Sequence, residues 1–135
     1  MSLINSSLEN NVFTDEKVIV WEEELLPGAT FRGTRQVPRT GIISEIRFNI
    51  GEDEEGLVRV RLLKDYIEIV PYKSGWLTLM SPRPSWKVNI FHARNSPITF
   101  EAENLSDTET VSVQALVSIR YRLDSWEISQ LGLRF

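Results

Sequence analysis

Thr110-Val-Ser-Val-Gln-Ala-Leu-Val-Ser-Ile-Arg-Tyr-Arg-Leu123 decides how this chain is read. Val111, Val113, Ala115, Val117, Ile119, Tyr121 and Leu123 share one parity. Ser112, Gln114, Ser118, Arg120 and Arg122 share the other, with Leu116 the one apolar intruder. Successive strand side chains point to opposite faces, so the stretch predicts a long strand with one buried and one wet face. A helix fits poorly, because β-branched residues crowd the segment and no 3.6-residue stripe runs through it. At about 3.3 Å per residue the strand spans roughly 45 Å and needs partners along its whole length.

Upstream residues supply them. Lys17 to Leu26 is apolar on both faces at its centre and stops at Pro27-Gly28. Thr30 to Thr40 reads as a loop or short edge strand carrying Arg32, Arg35 and Arg39. From Gly41 to Ile50, Ile42, Ser44, Ile46, Phe48 and Ile50 are expected on one face, opposite Glu45, Arg47 and Asn49. After the acidic turn Glu52 to Glu55, Leu57 to Leu63 alternates again. Tyr66 to Val70 follows and closes at Pro71. Gly75 to Met80 and Trp86 to Phe91 are short strands about a proline-rich loop. Pro97 to Asn104 alternates Ile98, Phe100 and Ala102 against Thr99, Glu101 and Glu103, and residues 104–109 are expected to turn as a hairpin. About eight strands, short turns and no helical period predict an all-β fold: a jelly-roll-like antiparallel β-sandwich with extended terminal arms. An immunoglobulin-type sandwich is disfavoured, since its usual buried cysteine pair is absent.

With 135 residues the chain suits one domain. The expected organisation is an N-terminal arm over 1–16, a sandwich over 17–123 and a C-terminal tail over 124–135. A net charge of -4 gives no field for specific nucleic-acid binding. No apolar run reaches the roughly 20 residues that span a bilayer, and the N-terminus lacks the pattern of a secretory signal. A soluble, single-domain protein made in the cytoplasm is therefore the expectation.

Catalytic patterns are sparse, and the protein is expected not to be an enzyme. One histidine, His92, and no cysteine leave neither a nucleophile–base pattern nor a zinc ligand set, and no cofactor is expected. Four contiguous acids between Gly51 and Gly56 fit a solvated turn better than a calcium loop, whose oxygen ligands fall at alternate positions. Arg32, Arg35 and Arg39 are candidates for holding a partner's carboxylates. Trp76 and Trp86, flanking Arg83, are candidates for stacking on a glycan. The tail is the sharpest feature. Trp126, Ile128, Leu131, Leu133 and Phe135 are too apolar for water, since burial of each gains about 1.5–3 kcal/mol. Together with Leu3, Ile4 and Leu8 of the arm, they are expected to form a subunit interface, with the tail adding to a neighbour's sheet, the alternative being that it covers the domain's own sheet edge.

The layout resembles small jelly-roll structural proteins of tailed phages and related viruses. The residues that carry the resemblance run from Gly41-Ile-Ile-Ser-Glu-Ile-Arg-Phe through Leu57-Val-Arg-Val-Arg-Leu, Ile69-Val-Pro71 and Gly75-Trp76. They continue through Pro97-Ile-Thr-Phe-Glu-Ala-Glu-Asn104 and Ser106-Asp-Thr108 into the closing strand. The resemblance implies a capsid decoration, vertex or head-associated component of a virion. It implies a trimer or pentamer that contacts other capsid proteins through its arms, and it carries no active site. The runner-up is a carbohydrate- or receptor-binding module using Trp76 and Trp86. A cupin-like enzyme ranks third, for want of metal-binding histidines.

Overall fold

The structure, a computed structural model, describes residues 13–71 and 75–122. Leu3, Ile4, Leu8, Trp126, Ile128, Leu131, Leu133 and Phe135 lie outside the described residues, as do most of the expected arm and all of the expected tail. Nine strands are described: β1 Phe13–Leu25, β2 Thr30–Gln36, β3 Gly41–Ile50, β4 Val58–Lys64, β5 Ile67–Val70, β6 Leu77–Thr78, β7 Ser85–His92, β8 Pro97–Asn104 and β9 Val111–Arg122. One sheet has the order β1-β9-β3-β7. The other has β2-β8-β4-β5, with β6 on β4. All pairings are antiparallel.

Apart from the two-residue β6, the strands pair first with last: β1 with β9, β2 with β8, β3 with β7 and β4 with β5. That is one long hairpin rolled up on itself, the double Greek key of a jelly roll. β9 anchors it as its alternation requires. Val111, Val113, Ala115, Val117, Ile119 and Tyr121 are all buried, between β1 and β3. Inner residues of β4 and β8 (Val58, Val60, Leu62, Ile98, Phe100 and Ala102) complete the core from the opposite sheet. Phe100 is its hub, with Trp21, Phe31 and Phe48 at ring-centroid distances of 6.0, 6.0 and 5.9 Å.

Three expectations need correction. In β3 the register shifts between Ile43 and Glu45 against both neighbours: Ser44 is an extra residue relative to β9, while β7 sets Val88 and Asn89 against it. The parity therefore flips: Ile43 faces inward with Ile46, Phe48 and Ile50, and Ile42 and Ser44 do not. The connection over 104–109 is no hairpin, because β8 and β9 belong to different sheets and the turn crosses between them. The strand expected over Gly75–Met80 shrinks to Leu77–Thr78. β1 also begins by Phe13, ahead of the expected Lys17, with Glu16 opposite Arg120.

Candidate functional site

A sandwich of two sheets has two open sides, where the edge strands of one face the edge strands of the other. On the first side β1 meets β2, and large side chains close it. Trp21 is buried, and the Arg35 guanidinium lies 5.5 Å from its ring centroid. On the second side β7 meets β5, and closure fails for want of length. β7 has eight residues, against four in β5 and two in β6. The inward parity of β7 (Trp86, Val88, Ile90) therefore outruns the residues opposite and stays part-exposed. The result is a cleft of about 430 Å³ walled by Ile69, Val70, Pro71 and Leu77 on one sheet and Trp86, Val88 and Ile90 on the other. The Val70–Pro71 peptide is cis. A second depression of about 320 Å³, lined by Leu79, Met80 and Pro84, adjoins it across a wall shared by Leu77 and Trp86. Among the described residues Lys87 is the one charged residue lining either.

Two exposed apolar side chains line these depressions, Trp86 at 38% and Met80 at 69%, whereas Phe91, 61% exposed, is on the outward parity of β7. Trp86 meets the core edge-on, its ring centroid 5.9 Å from that of Phe48.

Trp76 is placed elsewhere. Its ring centroid lies 4.6 Å from both the Arg59 and the Arg61 guanidinium groups, on the outer face of the second sheet. Those arginines belong to a cross-strand charge ladder. Arg59 donates to Glu103 at 2.8 Å; Arg61 donates to Glu101 and approaches Glu68 at 3.6 Å; Arg32 reaches Glu101 at 3.1 Å. The fold thus separates the two tryptophans that the sequence sets on either side of one loop. Arg83 is exposed in that loop, and the carbonyls of Pro82 and Pro84 accept from Ile50 and Phe48 N–H, which zips the loop onto β3.

The three loop arginines are separated as well. Arg32 and Arg35 take opposite parities of β2, one on Glu101 and one on Trp21, and Arg39 lies 5.3 Å from the Tyr121 ring. Period-two geometry makes a joint carboxylate clamp of Arg32 and Arg35 impossible. Burial pushes the Tyr121 hydroxyl pKa up, and Arg39 works against that shift.

Around His92 three polar side chains gather, but not as a catalytic set. His92 is fully buried, with Nδ1 3.1 Å from the Arg39 carbonyl and Nε2 3.0 Å from the Ser96 carbonyl. The Ser96 hydroxyl donates to Asp65 at 2.5 Å, not to the imidazole. A nucleophile needs its base within hydrogen-bond reach, and here both ring nitrogens face main-chain oxygen. The Ser96 hydroxyl, and after it the Lys64 ammonium, hold the Asp65 carboxyl below its ordinary pKa. In the acidic turn the Glu54 carboxylate accepts from Gly51 N–H at 2.8 Å and from Ser112 N–H at 3.2 Å, closing a short 3-10 turn onto β9.

Sequence reasoning missed Glu101, which sits 6% exposed between two arginines, and the cleft residues Ile69, Leu77, Val88 and Ile90. The signal for Glu101 was present: it is a carboxylate on a strand whose neighbours in register, Arg32 and Arg61, are both cationic. The cleft had no local signal, because it depends on which sheet each of the consecutive strands β5, β6 and β7 joins.

No protein-family model and no curated protein matches the sequence. Among solved structures, the chain is similar to the CBM36-1 domain of a multidomain xylanase from the hindgut metagenome of Trinervitermes trinervoides. The identity is 9%, over 78% of this chain and 96% of that one, with a TM-score of 0.45. It is similar to the tomato aspermy virus structure at 8% identity, over 93% and 97% of the two chains, with a TM-score of 0.44. The nucleoplasmin-like N-terminal domain of Drosophila FKBP39 matches at 16% identity, over 80% and 93%, with a TM-score of 0.39. Among the described residues no helix is long and apolar enough to cross a membrane.

Proposed function

We propose that this protein is a non-enzymatic structural component of a virus particle, a decoration, vertex or head-associated jelly roll that assembles with itself and with other capsid proteins. The observation that carries the proposal is the β5–β7 side, which the described residues leave uncovered. A soluble monomer gains nothing by leaving Trp86, Val88, Ile90 and Met80 part-wet, and contiguous apolar exposure of this kind marks a contact surface. Aromatic and aliphatic anchors at the centre of an interface supply most of its binding energy. The alternating apolar tail over 124–135 and the arm residues Leu3, Ile4 and Leu8 are the matching anchors in the sequence. The rolled-hairpin layout is the one the sequence resemblance to virion proteins calls for.

The mass of the purified chain, with and without residues 124–135, tests this reading. The expected outcome is a closed oligomer, trimer or pentamer, that dissociates when the tail is removed. A monomer in both cases overturns it. The rival, a glycan-binding module, rests on Trp86 alone, since Trp76 is engaged by two arginines. Glycan binding by the intact chain that Trp86→Ala abolishes would favour the rival.

A further inference from the structure

We propose that the outer edge of β7, with the cleft beneath it, receives the C-terminal segment of a second copy of this chain as an added strand. The inference rests on the assembly reading above and names the surface that reading leaves unspecified.

β7 pairs with β3 alone among the described residues, so none of those residues meets the N–H and C=O groups of its other backbone edge. A strand laid against that edge extends the sheet across the mouth of the cleft. Every second side chain of the newcomer then points inward, about 6.6–7 Å from the next, beside Trp86, Val88 and Ile90. The required occupant is a short ribbon, apolar on one parity and tolerant of solvent on the other. Leu131, Leu133 and Phe135 meet this description, with Gly132 and Arg134 between them. The ribbon also has a second part: Trp126 and Ile128 form an apolar pair of the other parity, just upstream. The receiving surface is likewise in two parts, the cleft and the depression at Leu79, Met80 and Pro84 beyond Trp86.

A second copy fits better than the chain's own tail. β9 ends at Arg122, next to the end of β3 at Gly41, which in turn pairs with His92 at the end of β7. From there the outer edge of β7 lies about three strand spacings away, roughly 15 Å. The way is roofed by loops 37–40 and 93–96, joined by Asn95 N–H donating to the Val37 carbonyl at 2.8 Å and by His92 beneath Arg39 and Ser96. A tail crossing that roof spends about five residues, leaving Trp126 over polar backbone. A tail arriving from a neighbour along that edge brings Leu131, Leu133 and Phe135 to the cleft without crossing the roof.

The chain has no cysteine, which makes site-specific cross-linking clean. Full-length Asn89→Cys and full-length Arg134→Cys are mixed in equal amounts, equilibrated and treated with a short bismaleimide. The same treatment is applied to the double variant. The expected result is a covalent dimer joining residue 89 of one copy to residue 134 of another. Ile90→Glu, which charges the cleft wall, should lower its yield about tenfold or more, as loss of one buried anchor does. A link within single copies of the double variant overturns the proposal in favour of the chain's own tail. No link, with the oligomeric mass retained, also overturns it while leaving the assembly reading standing. A monomeric mass for the unsubstituted chain overturns both.

Discussion

At the scale of single residues, the fold depends on polar side chains that terminate main-chain groups where strands change sheet. Asn104 is 1% exposed and sits at the crossing from β8 to β9. Its Nδ2 donates to the carbonyls of Leu25, Leu26 and Glu109, and its Oδ1 accepts from Ser106 N–H. Asn104→Ala strands these groups in a site with little water, so we expect a loss of about 2–3 kcal/mol in denaturant unfolding. Asp65 acts through charge. Its pKa in the folded chain is depressed, so its contribution is fully present above the ordinary carboxylate pKa and is lost as pH falls through the lower folded value. Wild-type protein should therefore lose thermal stability on acidification below about pH 4, and Asp65→Asn should flatten part of that limb in melts taken from pH 6 to pH 2.

Elements show how a one-residue irregularity redirects a whole face. The bulge in β3 puts Ile43, not Ile42, on the parity that β9 shares, and Ser44, the extra residue, donates to the Ser118 carbonyl at 3.3 Å. At the start of the strand Gly41 lies under the backbone of β9. A Cβ there would stand 2.4 Å from the Arg120 carbonyl oxygen and 3.0 Å from the Ile119 side chain. Main chain in a central strand pair cannot step aside, so Gly41→Ala should cost about 1–3 kcal/mol, measurable as a shift in urea midpoint. Strand β9 was legible in full because its alternation, period two over Val111 to Tyr121, is a local property of the backbone. The face of β3 was not, since a bulge is chosen by the register of its partners and leaves no mark in the hydrophobic pattern. The same limit applies to Trp76 and Trp86: each reads as an aromatic beside a proline loop, and which ring is engaged by Arg59 and Arg61 follows from where β4 lies.

For the whole molecule, a jelly roll is a hairpin whose two ends travel together, so its strands pair across very long sequence separations: β1 with β9, β2 with β8. The short strands β5 and β6, midway along the chain, leave one side of the sandwich uncovered among the described residues, and there the candidate surface lies. The sequence by itself determined most of the strands, the buried parities of β4, β8 and β9, and the all-β class. These follow from alternation, which every residue reports through its own backbone. Only the tertiary structure decided the partition into two sheets, the parity flip in β3, the dispersal of Arg32, Arg35 and Arg39, and the cleft between β5 and β7. Each of those is set by how separate strands pair and stack, and burial energy there depends on strand length and register that no single stretch carries.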